Sequence, residues 1–377
     1  MASLFARPCE YFAKGQKPRC KYALFTFLHD QLSYHGPVLR KDLSGKTVVV
    51  VGANVGLGYE TAKHFAKMGA ARVVMACRSK ERGSAAVQRV QQETGLKNTE
   101  LMLVDLADFS STRQFAADLE ARLEHLDILV LNAGMLPTST KREATVDGWE
   151  ASIQVNVVAP SILALLLLPL MVRTSRERHT LPRLVIVSSA GHYLVPPWSK
   201  DVFDQPEILK ALSDQEEFEI LQRYQASKCT AVSPSLRLPV TYDLSLVYTV
   251  LFPRALNERL RATHPTVIVN AVDPGMCATT INRDTPSLGI RIAYAVFSVS
   301  AEVGSREIVR AALGGSERAE SLRGAYISRG VVREPADLVL SEQGRIAQDR
   351  IWREIVAIGK KVEPRIGEIV KEYLLDV

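Results

Sequence analysis

Tyr224 and Lys228 are the residues of this sequence that most directly suggest acid–base chemistry. They stand four apart in Tyr-Gln-Ala-Ser-Lys, so in a helix both side chains would leave from one face. A lysine ammonium beside a phenol stabilises the phenolate and lowers the pKa of the tyrosine. Tyr224 could then exchange a proton with a carbonyl or alcohol oxygen. A solvated helix face is the plainer interpretation of this common spacing.

Two further polar side chains could hold a substrate oxygen or a water. Ser189, in Val-Ser-Ser-Ala-Gly, is predicted to donate to the substrate oxygen, with Ser188 as its rival and helix capping as the plainer role. Asn156 is polar within an apolar helical stretch. It is predicted to anchor a proton-relay water, and a satisfied core amide is the alternative. His192 has no acidic partner in view, which disfavours a Ser-His hydrolase.

A glycine-rich segment follows the first apolar run of the chain. Gly52-Ala53-Asn54-Val55-Gly56-Leu57-Gly58 comes directly after Thr47–Val51 and opens a helical stretch. Glycines permit positive φ and let the backbone approach a pyrophosphate, whose charge the helix N-terminus stabilises. Alone, such a pattern also fits an ordinary glycine-rich loop. The strand–turn–helix context predicts dinucleotide binding, with Gly52, Asn54, Gly56, Leu57 and Gly58 as contacts.

The ends of the next strands favour a phosphorylated cofactor. Residues 76–78 read Ala-Cys-Arg, without the acid that NAD sites usually place there for the ribose 2′-hydroxyl. Arg78 could pair with a 2′-phosphate, so NADP(H) is predicted over NAD(H); an exposed loop arginine is the plainer alternative. Asp105 is predicted to accept from the adenine amino group, or else to be a turn residue. Asn132-Ala133-Gly134 ends the fourth strand, where small residues would admit the ribose.

Alternating strands and helices must position these residues. Thr47–Val51 is an apolar, β-branched run typical of a strand buried on both faces. Further strands are predicted at Arg72–Ala76, Leu101–Val104, Ile128–Leu131, Leu184–Val187 and Val267–Val272. The long apolar segment Trp149–Leu168 is predicted to be a helix. The alternation predicts an α/β fold, a single Rossmann-type doubly wound parallel sheet with helices on both faces and the ligand crevice at the strands' carboxyl ends.

Three regions are predicted along the chain. Residues 1–44 form a leader with a short amphipathic helix at Tyr22–Leu32, and residues 45–330 form the Rossmann-type domain. Residues 331–377 form a C-terminal helical extension that includes a helix at Glu342–Lys361.

Composition disfavours several classes of function. The net charge of +6 is spread without a dense Lys/Arg block, so nucleic-acid binding is not expected. The 5 cysteines contain no Cys-x-x-Cys pair, which disfavours a disulfide scaffold or a metal site and fits a reducing compartment. The longest apolar run, Ile162–Val172, is far shorter than the roughly 20 residues of a membrane span. We expect a cytoplasmic protein without a transmembrane span; peripheral membrane attachment is the alternative.

Together these residues resemble the short-chain dehydrogenase/reductase family, over roughly Lys46 to Ile327. The retinol-dehydrogenase-like and WW-domain-oxidoreductase-like branch is the most similar, from Ala-Cys-Arg-Ser and Val-Ser-Ser, although no WW domain is visible. The family's leading threonine is Val51 here, and its Asn-Asn-Ala-Gly is Leu131-Asn132-Ala133-Gly134, so the first amide is missing. The resemblance assigns the catalytic tetrad to Asn156, Ser189, Tyr224 and Lys228. It also assigns a Pro-Gly motif to Pro274-Gly275, with Thr279 placed to bind the nicotinamide carboxamide.

One segment departs from the family pattern. Cys229–Val232 is expected to continue directly into Leu251–Leu256, but Ser233–Val250 intervenes with two prolines, Pro234 and Pro239. Prolines here would stop the catalytic helix about one turn after the lysine. We predict an insertion that loops out, with the helix resuming near Phe252 to Arg261. A retained intron, a wrong exon boundary and a genuine loop all remain open. Deleting the insertion is expected to raise stability and activity together.

The expected function is NADP(H)-dependent interconversion of an alcohol and its ketone or aldehyde, with a small-molecule, lipophilic substrate. The apolar stretch after Gly275, Ile290–Val299 especially, carries the expectation of a lipophilic substrate. The family commonly dimerises through the helix that follows the tyrosine, so a homodimer is expected unless the insertion blocks it. The alternatives are a catalytically impaired nucleotide-binding protein, in which the insertion breaks that helix, and an extended-type epimerase, which the glycine spacing disfavours.

Overall fold

The computed structural model describes residues 31, 33, 35–136, 142–194, 204–214, 240–260, 267–279, 297–315 and 319–375. Tyr224 and Lys228 lie outside the described residues, as do Pro234 and Pro239 and nearly all of the predicted helix Tyr22–Leu32.

A single eight-stranded sheet organises the described chain. Its strands and those of a small separate pair are β1 Thr47–Val51, β2 Arg72–Cys77, β3 Thr99–Leu103, β4 Ile128–Leu131, β5 Arg183–Val187, β6 Ile268–Asp273, β7 Cys277–Ala278, β8 Val299–Ser300, β9 Tyr326–Ser328 and β10 Val331–Arg333. The sheet order is β10-β9-β6-β5-β4-β1-β2-β3, and all neighbours are parallel except β9 and β10. The Rossmann-type prediction is confirmed. The order reverses between β1 and β4, which places the ligand crevice beside the glycine turn.

Helices cover both faces of the sheet. They are α1 Gly56–Lys67, α2 Lys80–Thr94, α3 Phe109–Arg122, α4 Ala151–Arg178, α5 Ile208–Ser213, α6 Val240–Arg259, α7 Ala301–Leu313, α8 Asp337–Leu340, α9 Glu342–Val362 and α10 Arg365–Tyr373. Alternate residues of β1 point to opposite faces, so Val49 and Val51 join one apolar core and Val48 and Val50 join the other. Both cores are needed because a parallel sheet is buried on its two faces.

The helix α4 is longer than the predicted Trp149–Leu168. It is apolar enough to cross a membrane by length and composition, but 83% of its most apolar window is buried within the protein. It therefore behaves as a core helix, packed between the sheet and other helices.

The predicted loop at Ser233–Val250 is wrong for its second half. Helix α6 begins at Val240 and continues to Arg259 without a break, and Val247, Tyr248 and Val250 are almost fully buried. The side chains of Val247, Tyr248 and Val250 pack in the core with the sheet and α9. The free energy gained by burying this apolar surface outweighs the entropy lost in ordering the chain.

The C-terminal extension is part of the main core. Strand β10 extends the sheet, and α9 packs on α6, where Phe252 stacks on Trp352 with ring centroids 6.0 Å apart. Arg259 Nη2 lies 2.6 Å from Asp349 Oδ1. The extension therefore covers α6, the helix that the resemblance assigns to dimerisation, and the homodimer stays a prediction.

Candidate active site

The turn between β1 and α1 is built from glycines that leave no room for side chains. Gly52 has φ +82°, and a Cβ there would lie 2.7 Å from the Cα of Ala133. A Cβ on Gly58 would lie 2.2 Å from the main-chain oxygen of Gly52 and 2.5 Å from Asn132 Nδ2. Side chains are thus excluded where the ends of β1 and β4 meet.

Asn132 ties these two strand ends together. Its Nδ2 donates to the main-chain oxygen of Gly52 at 3.0 Å, and its N–H donates to that of Val51 at 3.2 Å. Ala133 is half-buried and Gly134 is exposed. The amide therefore holds the glycine turn in shape, while contact of residues 132–134 with a ribose stays a prediction.

The N-terminus of α1 is suited to an anion. Its N-cap residue Val55 makes no side-chain capping hydrogen bond, and its first turn contains no acidic residue. Free N–H groups and the positive end of the helix dipole favour a phosphate there. Asn54 and Leu57 are half-buried in the same turn. Thr279 lies close by, since a Cβ on Gly56 would be 3.5 Å from its Cγ2. The turn thus fits the pyrophosphate of a dinucleotide.

Arg78 and Asp105 follow neighbouring strands at the same sheet edge. Arg78 comes directly after β2 and is exposed; the N–H of Gly52 donates to Ala76, two residues earlier, at 2.8 Å. Asp105 Oδ1 accepts from the N–H of Ala107 at 2.9 Å. One oxygen of Asp105 therefore shapes a turn, the plainer role considered above, whereas Arg78 stands beside the glycine turn with its guanidinium accessible to a ligand.

Asn156 lies in a π-helical turn, Gln154–Val158, within α4. Its Oδ1 accepts from the N–H of Met135 at 2.8 Å and its Nδ2 donates to the oxygen of Met135 at 2.9 Å. Such turns recur at functional sites because they change the direction of the helix main chain. The amide anchors the loop after β4, beside Gly134, and the relay role stays a prediction.

The two serines after β5 differ in their partners. Ser188 is buried, and its Oγ accepts from Thr249 Oγ1 at 2.8 Å. Ser189 is half-buried, and its Oγ accepts from the N–H of Gly191 at 3.1 Å. A hydroxyl that accepts this bond can still donate its proton. The geometry therefore favours Ser189 as the serine that faces a ligand and Ser188 as the one that anchors α6.

His192 is a structural anchor for the loop that carries Ser189. It is fully buried, its Nδ1 lies 2.7 Å from the main-chain oxygen of Ser189, and its Nε2 accepts from the N–H of Ala336 at 3.2 Å. Burial lowers its pKa to about 4, so the ring is neutral at pH 7. Its edge packs on Tyr326 with centroids 4.6 Å apart. Both nitrogens serve the main chain, which agrees with rejecting a Ser-His hydrolase.

Asp273 shapes the turn at Pro274-Gly275. Its Oδ1 accepts from the N–H of Gly275 at 2.9 Å and its Oδ2 accepts from Ser328 Oγ at 3.2 Å. Burial raises the pKa of this carboxyl. Gly275 has φ +77°, so a glycine is needed to turn the chain from β6 toward Thr279. Sequence reasoning missed Asp273 and considered His192 only as a hydrolase residue, although each sits within three residues of a predicted site residue at a strand end.

Most of the predicted site residues therefore lie at the carboxyl edge of one sheet. The glycine turn follows β1, Arg78 follows β2 and Asp105 follows β3. Ser189 follows β5 and Thr279 follows β6, while Asn156 lies on α4, the helix that comes after β4. Tyr224 and Lys228 are outside the described residues. Helix α6 contacts Ser188 through Thr249. Residues 240–250 of this helix, Thr249 included, belong to the predicted insertion.

Comparison with known proteins identifies the family. The family model for short chain dehydrogenases matches residues 46–199. Among curated proteins, the chain is 32% identical over 344 residues to the short chain dehydrogenase/reductase dmxR8 of Cryptosporiopsis sp. (strain 8999), covering 90% of this chain and 98% of that protein. It is also 32% identical to the short-chain dehydrogenase/reductase phmF of Phaeosphaeria nodorum, covering 87% and 90%.

Solved structures show the same fold. The NADP complex of Pseudomonas aeruginosa RhlG matches with a TM-score of 0.55 and 20% identity, covering 76% of this chain and 95% of that chain. Salutaridine reductase from Papaver somniferum matches with a TM-score of 0.52 and 21% identity, covering 74% and 99%. The glycine turn, the sheet order and the near full-length curated relatives agree, so the chain belongs to the short-chain dehydrogenase/reductase family and is an oxidoreductase.

Proposed function

We propose that this protein uses NADP(H) to interconvert an alcohol and its ketone or aldehyde. The observation that carries the proposal is the convergence of a side-chain-free glycine turn, an accessible Arg78 and the half-buried Ser189 at one sheet edge. The names of the curated relatives are those of short-chain dehydrogenases, which supports the same reaction class. NAD(H) is the less favoured cofactor because no acid stands at the end of β2.

The cofactor would be held by main-chain and side-chain groups that the chain supplies. The glycine turn and the N-terminus of α1 would hold the pyrophosphate, and Arg78 the 2′-phosphate. Asp105 would accept from the adenine amino group through its remaining carboxylate oxygen, and Thr279 would bind the carboxamide. When bound, the nicotinamide supplies or takes the hydride.

The acid–base work falls to the tetrad. Tyr224 would pass a proton to the carbonyl oxygen in reduction and take it back in oxidation, and Lys228 would lower the pKa of that tyrosine. Ser189 would donate to the same substrate oxygen and stabilise its developing negative charge. Asn156, in the π-helical turn of α4, would anchor the water that relays the proton.

Cofactor titration and turnover together test this function. We expect NADPH to bind more tightly than NADH in isothermal titration, and NADPH oxidation to depend on added carbonyl in a panel of aliphatic and aromatic aldehydes and ketones. Tyr224→Phe keeps the ring and removes the proton, so it should lower kcat by about 10² to 10⁴ and leave the Kd for NADPH near that of the parent. Full activity in this variant would place the acid elsewhere.

A catalytically impaired nucleotide-binding protein is the second candidate. One observation favours it: the helix that contacts Ser188 includes residues 240–250 of the insertion, and Thr249 of that stretch donates to Ser188 Oγ. Such a protein would bind NADPH with its intact glycine turn and oxidise none of it. A burst measurement of NADPH oxidation separates the two candidates, since an impaired protein gives no burst with any carbonyl.

A further inference from the structure

Ser189 directly precedes a short 3-10 turn, Ala190–Leu194, at the carboxyl end of β5. Its Oγ accepts from the N–H of Gly191 at 3.1 Å, and its main-chain oxygen accepts from the N–H of His192 at 3.3 Å. A 3-10 turn has poor hydrogen-bond geometry, and one of this length is not stable by itself. The direction of the Ser189 side chain therefore depends on what holds this turn to the rest of the fold.

The imidazole of His192 provides one such attachment. Its Nδ1 lies 2.7 Å from the main-chain oxygen of Ser189, and its Nε2 accepts from the N–H of Ala336 at 3.2 Å. The ring is neutral at pH 7 because burial lowers its pKa to about 4. A neutral imidazole carries one N–H, and since Nε2 is the acceptor, Nδ1 is the donor. His192 thus donates to Ser189 and accepts from the C-terminal extension at the same time.

Packing holds the ring of His192 in one orientation. The ring is fully buried, and it packs against the rings of Tyr193 and Tyr326 with centroids 4.1 and 4.6 Å away. The hydroxyl of Tyr193 in turn donates to the main-chain oxygen of Glu334, two residues before Ala336. Strand β9 and the segment after β10 therefore set the direction in which the imidazole donates.

The peptide group that follows Ser189 is held at its other end as well. Its N–H belongs to Ala190. Burial raises the pKa of the Asp273 carboxyl, and the main-chain N–H groups of Gly275 and Ala190 oppose this rise as hydrogen-bond donors. The oxygen of this peptide group thus faces His192 and its N–H faces Asp273. Holding both ends of the group restricts rotation about ψ of Ser189, and with it the position of Oγ.

We propose that His192 is a positioning residue for the reaction: by donating to the main-chain oxygen of Ser189, it holds the serine hydroxyl toward the substrate oxygen. This inference rests on the proposed function, which gives Ser189 the donor role. A hydroxyl that stabilises a developing negative charge is sensitive to displacement, since a shift of about 1 Å can cost up to 10²-fold in rate. The C-terminal extension takes part because the N–H of Ala336 keeps the proton of the ring on Nδ1.

Two substitutions separate the two hydrogen bonds of the ring. His192→Gln places its amide as many bonds from Cβ as Nε2, so it can still accept from Ala336 but loses the bond to Ser189. His192→Asn places its amide as many bonds from Cβ as Nδ1, so it can still donate to Ser189 but loses the bond to Ala336. Because each variant loses one hydrogen bond in the same buried place, we expect similar decreases in melting temperature.

The full-length variants are compared in NADPH-dependent reduction of decanal and of benzaldehyde. We expect His192→Gln to lower kcat about tenfold and His192→Asn to restore it to within about threefold of the parent. The Kd for NADPH should stay within about twofold of the parent in both variants. His125→Asn is the matched control, and its kcat should equal that of the parent. His125 Nε2 also lies 3.1 Å from a main-chain oxygen, that of Gly45, but before β1 at the opposite edge of the sheet.

The Ser189→Ala background separates positioning from a purely structural role. If His192 acts through the serine, His192→Gln should have no further effect on kcat once the hydroxyl is gone. The double variant should then have a kcat within about twofold of that of Ser189→Ala. A histidine that only stabilises the fold would lower kcat by the same factor in both backgrounds.

Three results would overturn the inference: full activity in His192→Gln, a loss of kcat in His192→Asn as large as that in His192→Gln, or an additive loss in the double variant. An unchanged kcat in Ser189→Ala contradicts the role that the proposed function gives to the serine, and the role of His192 ends with it. If the parent oxidises NADPH with neither aldehyde, the proposed function itself fails, which the parent measurement alone reveals.

Discussion

Removing the insertion should increase the turnover of this enzyme. The deletion joins Val232 to Leu251 and removes 250 − 232 = 18 residues, which is about five turns at 3.6 residues per turn. Because the deleted segment corresponds to a whole number of helical turns, each residue before the junction would point to the same side of α6 as the residue whose position it takes. The part of α6 from Leu251 to Arg259, which packs on α9, is unchanged.

The expected gain in kcat depends on which residues occupy the N-terminal part of α6 after the deletion. After the deletion Tyr224 takes the position now held by residue 224 + 18 = 242, and Lys228 that held by 228 + 18 = 246. Those positions are Tyr242 and Leu246 in the present chain, so the deletion places an ammonium group four residues after the tyrosine. General acid–base catalysis is worth about 10² to 10⁴ in rate. Because Tyr224 is proposed to act in the full chain as well, we expect the deletion to add only a part of that factor, a rise in kcat of about tenfold.

Stability should not rise with activity, contrary to the expectation from sequence alone. The buried Val247 and Tyr248 would be replaced by Cys229 and Thr230. Large-to-small changes in a core cost about 3 kcal/mol, whereas halving a loop returns only ~0.6 kcal/mol. We therefore expect the melting temperature of the deletion variant to be equal to or below that of the full chain.

The assay is NADPH oxidation with a saturating aldehyde, measured for the full chain, the deletion variant and the deletion variant carrying Tyr224→Phe. The third protein is the matched control, because it carries the same deletion but lacks the phenol, and it should lose the gain. A deletion variant no faster than the full chain, or a gain that survives Tyr224→Phe, would refute the reasoning.

Three further predictions concern single residues. Arg78→Ala should weaken NADPH binding by about 1–3 kcal/mol and leave NADH binding unchanged; isothermal titration checks this, and an equal loss for both cofactors would contradict it. Ser189→Ala should lower kcat by about 10² to 10³, whereas Ser188→Ala should mainly lower stability by about 1 kcal/mol, since Thr249 loses its acceptor; the reverse pattern in kinetics and melting would exchange their roles. For His192, the folded pKa of about 4 lies below the ordinary 6.5, so the unfolded state binds the proton first and the free energy of unfolding falls by about 3 kcal/mol as the pH drops from 6.5 to 4. His192→Gln should remove that part of the pH dependence in urea denaturation, and identical pH slopes in the two proteins would rule it out.

The sequence alone determined the fold class and the glycine turn of this protein. Runs such as Thr47–Val51 are β-branched at every position and apolar from Val48 onward, which is typical of a strand buried on both faces. The glycine spacing that follows depends on local backbone geometry. These features are readable because local chemistry sets them: β-branched residues favour strands and glycines favour positive φ. Helix Glu342–Val362 was likewise predicted to within one residue.

Contacts between distant segments were decided only by the tertiary structure. Prolines in the insertion predicted a loop up to Val250, yet Val240–Val250 is helical. Val247, Tyr248 and Val250 of this stretch are buried in the core, and the burial of such apolar side chains stabilises the helix. The distinction between Ser188 and Ser189 depends on Thr249, and Gln31 donates to main-chain oxygens that lie 245 and 266 residues away. No local pattern encodes such partners, since a hydrogen bond across the fold exists only once both segments have packed against the same sheet.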